Sequence, residues 1–199
     1  MTFQNPRIPD HAVAKVFVDR WSPRAFSADA ISDADLNVIL EAARWAPSAY
    51  NSQPWRFVVA KRGEPGFDVI AGLLLEGNRI WAKDAAVLIV LVSQTHLRPP
   101  GADKDAPSYS HSFDAGAAWA NLALQATKLD WRAHAMIGFD MARARMELNV
   151  PEDCRVEAAI AIGRIGDKNK LPAPLAARES PNPRRPLSEI VVRGAFPKA

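Results

Sequence analysis

Two arginines and a serine alternate near the start of the chain, in the run from Arg20 to Phe26 that reads RWSPRAF. In an extended backbone, alternate side chains point to the same side, so Arg20, Ser22 and Arg24 would present two guanidinium groups and a hydroxyl to one anion. Guanidinium groups bind phosphate through paired, charge-assisted hydrogen bonds. The run therefore indicates a phosphate site, although a surface strand with basic residues on its wet face would have the same spacing.

A polar turn between two prolines follows within the run PSAYNSQPWRF, residues 47–57. The prolines and the short polar side chains favour a turn over regular structure. Amide and hydroxyl groups held in such a turn can hydrogen-bond the edge of a flat heterocyclic ligand. An ordinary loop is the alternative for this run alone, so the prediction rests on its combination with RWSPRAF. The polar side chains are those of Ser48, Asn51, Ser52 and Gln53.

Few other residues suggest chemistry. His134 precedes an IGFD run and could donate a proton to a ligand, although a lone histidine beside apolar residues is more often structural. The four histidines and Cys154 lack the spacing of metal ligands, so we predict no metal site. The chain has no GxGxxG motif, so a permanent nicotinamide site of the Rossmann type is not indicated. Trp81, Tyr109 and Phe113 could line a pocket or simply pack in the core.

These residues require a framework, and the sequence predicts interleaved helices and strands. Ser32 is a candidate N-cap for a helix over 31–46, and Asp140 for a short helix that continues to Leu148. A long helix over 113–129 has small apolar residues on most faces, which predicts burial nearly all round. Strands are predicted over residues 55–60, 85–92 and 156–162, with the apolar second strand at the centre of a sheet.

The composition changes to proline, lysine, asparagine and arginine over residues 166–186, which predicts an extended arm without a helix. Residues 187–192 resume an apolar strand pattern, so the arm could cross to another subunit and add a strand to its sheet. Residues 96–112, with three prolines and several charges, are the predicted lid. We find no internal repeat and no second boundary, so we predict one domain over 1–199 with its core over about 15–192.

Several runs in the chain resemble the FMN-dependent nitroreductase family. RWSPRAF and PSAYNSQPWRF match its amino-terminal signature in order and separation. Four later runs are similar to its later segments: GNRIW at 77–81, FDAGAAWANLALQA at 113–126, IGFD at 137–140 and RRPLSEIV at 184–191. The resemblance implies an α+β fold in which helices flank a central mixed β-sheet and the C-terminal arm is exchanged within a homodimer.

The resemblance also implies where FMN binds. Arg20 and Ser22 would hold the phosphate and ribityl chain, and Arg24 would lie near the pyrimidine, where a cation stabilises the charge that reduction creates. Asn78 would hydrogen-bond the same pyrimidine edge. Arg185, with Arg184 beside it, would return from the arm to the phosphate, although Pro183 stands where the family often has a basic residue. The implied cofactor-binding residues are Arg20, Trp21, Ser22, Arg24, Pro47, Ser48, Ala49, Asn51, Gln53, Asn78, Ile137, Gly138, Arg184 and Arg185.

For some of these residues the resemblance also implies the subunit or the flavin atom to which they belong. Ser48, Ala49, Asn51 and Gln53 would come from the partner subunit of the homodimer. The backbone of Ile137 and Gly138 would lie near flavin N5, and the missing side chain of Gly138 would let the ring approach closely.

The implied activity is a two-electron transfer from NADH or NADPH, by a ping-pong mechanism, to nitroaromatic, quinone or similar conjugated acceptors. The hydride would be carried by the N5 atom of FMN, so no side chain is assigned as catalytic. One alternative is a flavin enzyme of the same fold with other chemistry, such as reductive dehalogenation or flavin breakdown. Another is a non-catalytic module that binds a nucleotide or nucleic-acid phosphate through Arg20, Arg24 and Arg185.

Composition narrows the partners. The 25 basic and 22 acidic residues are interspersed and give a net charge of only +3, which does not favour a nucleic-acid partner. The longest apolar stretch, residues 115–126, is shorter than the roughly 20 residues of a membrane span, so we expect no membrane segment. The start lacks the pattern of a secretory signal, and a single cysteine forms no internal disulfide. We therefore expect a cytoplasmic protein, and the resemblance implies that it is a homodimer that acts on a small-molecule electron acceptor.

Overall fold

The computed structural model of the chain describes residues 5–196, and the two ends of the expected single domain, 1–4 and 197–199, lie outside the described residues. In chain order the helices and strands are α1 (Lys15–Asp19), α2 (Asp33–Arg44), β1 (Trp55–Lys61), α3 (Pro65–Leu73), α4 (Glu76–Ala82), β2 (Val87–Gln94), β3 (His96–Leu97), β4 (Ala106–Pro107), α5 (His111–Lys128), β5 (Arg132–Met136), α6 (Met141–Glu147), β6 (Cys154–Gly163), α7 (Ala173–Ala176) and α8 (Leu187–Ile190). Two 3₁₀ turns lie at Ala49–Asn51 and Lys168–Lys170.

A four-stranded sheet in the order β1-β2-β6-β5 forms the centre of the fold. The central position of β2 is confirmed, since Val90 lies opposite Val58 of β1 and Ala159 of β6. Seven consecutive residues of β2, 87–93, are buried, as expected for a strand covered on both faces. Among the described strands every pairing is antiparallel, so the expectation of a mixed sheet is wrong for this chain.

Helices cover both faces of the sheet. On one face α2 and α5 pack with Ile39 and Leu122 fully buried, and on the other face α3 and α4 bury Ile70 and Trp81. The predicted N-cap of α2 is confirmed, because the backbone N–H of Asp35 donates to Ser32 Oγ at 3.0 Å. The α+β class is therefore confirmed, with one apolar layer on each side of the sheet.

The long helix α5 is less buried than its composition predicts. Leu122 and Ala126 face the core, whereas Phe113 is 82% exposed and Gly116 and Ala120 are exposed as well. The prediction of burial all round is wrong because the sheet and α2 cover only one side of the helix. No helix in the described range is long and apolar enough to cross a membrane.

The C-terminal arm contains helical turns. The prediction of an arm without helix is wrong at Lys168–Lys170 and at α7. The turn at Lys168–Lys170 is capped by the side chain of Asp167, and α7 tolerates a proline because it lies in the first turn, where its missing N–H has no intrahelical partner. Residues 187–192, predicted as a strand, instead begin with the single turn α8 after Pro186. A strand needs a neighbouring edge to bond, and no described strand pairs with this segment.

A short bridge fixes the RWSPRAF run to the end of the sheet. Phe26 pairs with Ile165 just beyond β6, Ser27 N–H donates to the carbonyl of Arg164 at 3.0 Å, and Gly166 N–H donates to that of Ala25 at 2.8 Å. A Cβ atom on Gly166 would lie 2.4 Å from the backbone carbonyl of Phe26, so the approach depends on glycine. The sheet thus sets the position of the arginines that precede Phe26.

Substitution of Gly166 tests this attachment. We expect Gly166→Ala to lower the free energy of unfolding by about 2 kcal/mol, because backbone must move to admit the methyl group. Gly116→Ala is the matched control, since a Cβ atom added at Gly116 would have nothing within 4 Å. On the exposed face of α5 this control is expected to be neutral or stabilising by up to about 1 kcal/mol. Urea denaturation of both variants measures the difference, and equal stabilities would contradict the close approach.

Candidate functional site

The RWSPRAF run has the alternating geometry that its spacing predicts. Trp21, Pro23 and Ala25 are buried, while Ser22 and Arg24 are only partly buried. Because successive residues face opposite sides of an extended segment, the buried set anchors the run and leaves the polar set facing outward. Arg20 Nη1 donates to Ser22 Oγ at 3.3 Å, so two of the predicted anion ligands are already in contact.

A cavity of about 530 Å³ opens beside this run, a size within the usual range for small-ligand sites. Five of its lining residues are arginines, and no carboxylate residue of the described chain is among the lining residues. We call it the arginine cavity. Its lining residues are Arg7, Arg20, Trp21, Ser22, Arg24, His134, Arg178, Ser180, Asn182 and Arg184.

Three of the arginines in the arginine cavity, Arg7, Arg20 and Arg24, are partly buried. Burial lowers the pKa of Arg20, and the nearby charge of Arg184 lowers it further. Burial also lowers the pKa of Arg7, with smaller contributions from Arg184 and Arg20. A low-dielectric cluster of like charges has a free-energy cost that a bound anion would relieve. The cavity is therefore suited to an anion, above all one with two negative charges.

Arg7 is the functional residue that the sequence reasoning missed. Its Nε donates to the carbonyl of Asn182 at 2.7 Å, and its Nη1 donates to the carbonyls of Val18 and Arg20 at 3.0 and 2.7 Å. Arg7 thus ties the amino-terminal segment, the RWSPRAF run and the arm together at the wall of the cavity. Its contacts span up to 175 positions along the chain, so no local motif identifies it.

The arm contributes Arg184, rather than Arg185, to the arginine cavity. Arg185 lines a neighbouring, more apolar groove of about 670 Å³ between the amino-terminal segment and the arm. In the described chain, therefore, Arg184 lines the same cavity as Arg20 and Ser22, whereas Arg185 does not. The guanidinium of Arg184 also donates to the carbonyls of Asn182 and Pro183, at 3.3 and 3.0 Å.

His134 lies at the inner wall of the cavity as a neutral base. Its Nδ1 is 2.9 Å from the carbonyl of Pro23, which can only accept, so Nδ1 carries the proton. Burial lowers the pKa of His134 to about 4, with smaller contributions from Arg24 and Arg20. The expected role as a proton donor is therefore not supported, because the neutral ring has committed its N–H to Pro23. Its unprotonated Nε2 can instead accept a hydrogen bond, whereas the guanidinium groups of the cavity can only donate.

Asn78 and Gly138 form a separate contact. Asn78 Nδ2 donates to the carbonyl of Gly138 at 2.9 Å, and a Cβ atom on Gly138 would lie 2.6 Å from that nitrogen. In the described chain, then, glycine at this position makes room for Asn78. Trp81, three positions beyond Asn78 on α4, stacks on His134 with ring centroids 4.6 Å apart, which links this contact to the cavity. Ile137 beside it is 78% exposed.

The proline-bracketed turn lies outside the residues that line the arginine cavity. Tyr50, Asn51 and Gln53 all have positive φ angles, of 52°, 53° and 48°, which non-glycine residues rarely adopt. The strained turn is held to α5, because Ala49 N–H donates to a carboxylate oxygen of the buried Asp114 at 3.2 Å. It is further closed by a hydrogen bond from Gln53 N–H to Ser48 Oγ at 3.0 Å.

The three aromatic candidates divide into core and surface. Trp81 is 1% exposed and belongs to the core, where its indole N–H donates to the carbonyl of Gly77 at 3.1 Å. Tyr109 is fully exposed and Phe113 is 82% exposed. Neither lines the arginine cavity. Both lie near the start of α5, where Asp114 holds the strained turn, so they add apolar surface to that end of the helix.

Comparison with known proteins gives this site its context. The model of the nitroreductase family matches residues 18–77 and 70–164. The chain belongs to the nitroreductase family. The family and the nitroreductase-like fold implied by the sequence runs are thus confirmed, and the part of the cavity lining from Arg20 to Arg24 lies within the matched residues.

Three relatives of the chain are informative. A solved structure described as an oxidoreductase containing FMN is 44% identical, covers 100% of both chains and has a TM-score of 0.93. A protein from Desulfovibrio desulfuricans, solved in complex with FMN, is 29% identical, covers 92% of this chain and 96% of its own, and has a TM-score of 0.70. A Thermus thermophilus protein named NADH dehydrogenase is 29% identical over 202 residues, which are 87% of this chain and 91% of its own.

The neutral state of His134 makes stability depend on pH. Its pKa is about 4 in the folded chain against an ordinary value of 6.5, so below pH 6.5 the unfolded chain binds more protons. Stability is therefore lost as the pH falls from 6.5 towards 4, by about 2 to 3 kcal/mol. We expect His134→Gln to lose less stability than the wild type between pH 7 and pH 4.5, as measured by urea denaturation. His96→Gln, an exposed site on β3, is the control, and parallel losses in all three proteins would contradict the buried neutral histidine.

Proposed function

We propose that the protein is an FMN-dependent oxidoreductase that passes two electrons from NADH or NADPH to nitroaromatic, quinone or similar conjugated acceptors in a ping-pong cycle. Family membership, the FMN in two solved relatives and the name of the Thermus thermophilus relative support the proposal. The observation that carries it is the arginine cavity.

The cavity residues fit the phosphate of FMN. Five guanidinium groups surround the space, and burial with mutual repulsion lowers the pKa of at least Arg7 and Arg20. A phosphate dianion offers several acceptor oxygens to such donors, and planar guanidinium groups bind it in pairs. Arg20 and Arg184 would bind the phosphate oxygens from two sides, with Ser22 between them as a further donor.

The remaining cavity residues would orient the rest of the cofactor. His134 Nε2 would accept a hydrogen bond from a ribityl hydroxyl, a partner that the arginines cannot provide because guanidinium groups only donate. Arg24 would stabilise negative charge on the pyrimidine edge. Bound FMN would supply the hydride transfer chemistry itself.

A homodimer would complete the site. The strained turn and the exposed Tyr109 and Phe113 lie away from the cavity of their own chain, so in our proposal they serve the cavity of the partner. Ser48, Ala49, Asn51 and Gln53 would then approach the flavin from the other subunit. The geometry of the turn favours such a role, because three of its residues have positive φ angles and a hydrogen bond from Ala49 N–H to Asp114 fixes the turn to α5.

Visible spectroscopy tests the function directly. The purified protein, supplied with FMN, should show the absorption of a bound oxidised flavin that bleaches when NADH or NADPH is added without oxygen. Colour should return when a quinone or nitroaromatic acceptor follows. Protein that binds no FMN but retains an oligonucleotide in a salt-dependent manner would favour a phosphate-binding module instead.

Arg20→Ala tests the phosphate assignment. Loss of a charge-assisted hydrogen bond should raise the Kd for FMN about 10- to 100-fold, while the Kd for riboflavin, which lacks the phosphate, stays nearly constant. Arg44→Ala is the control, because Arg44 is exposed on α2 and paired with Glu41. Equal losses for FMN and riboflavin in Arg20→Ala would contradict a phosphate role.

Arg24→Ala tests the electrostatic assignment. Removing the cation should lower the midpoint potential of the bound flavin and slow its reduction by NAD(P)H, with a smaller effect on the Kd for oxidised FMN. Spectroelectrochemistry and anaerobic stopped-flow measurements report the two quantities. A weaker Kd with an unchanged rate per bound flavin would contradict this role for Arg24.

A further inference from the structure

Glu179 is a buried carboxylate in the C-terminal arm that neither the family signature nor the sequence reasoning singles out. Its side chain is 3% exposed. One oxygen, Oε1, accepts hydrogen bonds from the backbone N–H groups of Arg24 and Ala25, at 2.6 and 2.7 Å. These bonds join positions 155 and 154 residues apart in the chain. A charge buried so far from water requires such partners, so the contact is specific.

The two backbone donors belong to the run that carries the anion ligands. Successive N–H groups that point to one acceptor form a small anion-binding concavity, and here the carboxylate of Glu179 fills it. The conformation of the chain at Arg24 is thereby fixed from outside the run. Arg24 then extends from a backbone that the arm holds in place.

The second carboxylate oxygen acts on the side chain of Arg24. Glu179 Oε2 lies 3.9 Å from Arg24 Nη1 and has no hydrogen-bond partner among the described residues. The attraction between the two side chains is electrostatic. Because both side chains are largely buried, water and salt screen this attraction less than they would at the surface. Glu179 therefore both directs the guanidinium of Arg24 and offsets part of its charge.

The same contact brings the arm to the arginine cavity. Arg178 and Ser180, on either side of Glu179, line the cavity, and so do Asn182 and Arg184 further along the arm. Asn182 is held through its carbonyl by Arg7. Anchoring Glu179 at the RWSPRAF run thus places one whole wall of the cavity.

We propose that Glu179 is a positioning residue for the flavin site, through which the arm fixes the backbone and charge of Arg24 and closes the arginine cavity. The proposal rests on the proposed function for its flavin readouts, whereas the anchoring of the arm stands on the contacts alone. Glu179 itself is not among the residues that line the arginine cavity. Its effect on FMN passes through Arg24 and through the position of the arm.

Two substitutions separate the two parts of this role. Glu179→Ala removes the hydrogen bonds and the charge, whereas Glu179→Gln keeps an acceptor oxygen for the two backbone N–H groups and removes only the charge. Glu189→Gln, an exposed site on α8 in the same arm, is the control for charge. Each full-length protein is titrated with FMN by flavin fluorescence, its flavin potential is measured, and its arm is probed by trypsin, which cleaves after arginine. Thermal unfolding followed by circular dichroism shows that each variant is folded.

We expect Glu179→Ala to raise the Kd for FMN about tenfold or more and to speed cleavage of the arm in the absence of FMN. Glu179→Gln should bind FMN nearly as well as the wild type but shift the flavin potential upward, because Arg24 is no longer offset. Glu189→Gln should match the wild type in all three measurements. A wild-type Kd in Glu179→Ala, or a wild-type potential in Glu179→Gln, would overturn the proposal.

A failure of the role proposed for Glu179 can be distinguished from a failure of the proposed function. If the wild type binds no FMN, the proposed function fails, and the tryptic comparison alone decides the anchoring. Faster cleavage in Glu179→Ala than in Glu189→Gln would then support the arm contact, and equal rates would overturn it. If the wild type binds FMN, the Kd and potential comparisons decide.

Discussion

The repulsion among the arginines around one cavity is the constraint on which the rest of the structure depends. Burial lowers the pKa of Arg7 and of Arg20, and the nearby charge of Arg184 lowers both further, so the folded chain holds unfavourable charge before any ligand arrives. A protein tolerates such an arrangement at functional sites, where a bound partner compensates the cost. In the proposed function, the phosphate of FMN is that partner.

Three distant parts of the chain must meet to hold these charges together. The bridge from Phe26 to Ile165 attaches the RWSPRAF run to the end of the sheet, and the close approach depends on Gly166. Arg7 clamps the amino-terminal segment to the arm, and Glu179 clamps the arm to the backbone of Arg24. The carbonyls and amides of the main chain make most of these contacts, so the cavity is stabilised largely by groups that every residue possesses.

Local features of this structure can be predicted from the sequence, whereas contacts to distant main-chain atoms cannot. The helix that begins after Ser32 and the buried strand β2 follow from local capping and apolar runs, and both are confirmed. The alternation of Arg20, Ser22 and Arg24 predicts their shared side for the same local reason. Arg7 and Glu179 have no such signal, because their partners lie 175 and 155 positions away and are backbone atoms.

The errors have equally physical causes. The sequence leaves His134 either a structural residue or a proton donor, whereas in the fold burial and two arginines keep it neutral, an effect that no spacing reveals. The strand expected over residues 187–192 requires a neighbouring edge, and apolar alternation alone does not supply one. Proline composition predicts an extended arm, although Pro174 sits in the first turn of a helix, where proline is well tolerated.

A crystal structure of the FMN complex tests the central claim most directly. The account predicts that the phosphate lies in the arginine cavity, within hydrogen-bonding distance of Arg20 and Arg184, while Glu179 keeps its contacts with the backbone of Arg24. A phosphate bound elsewhere, with the arginine cavity filled only by solvent, would contradict it.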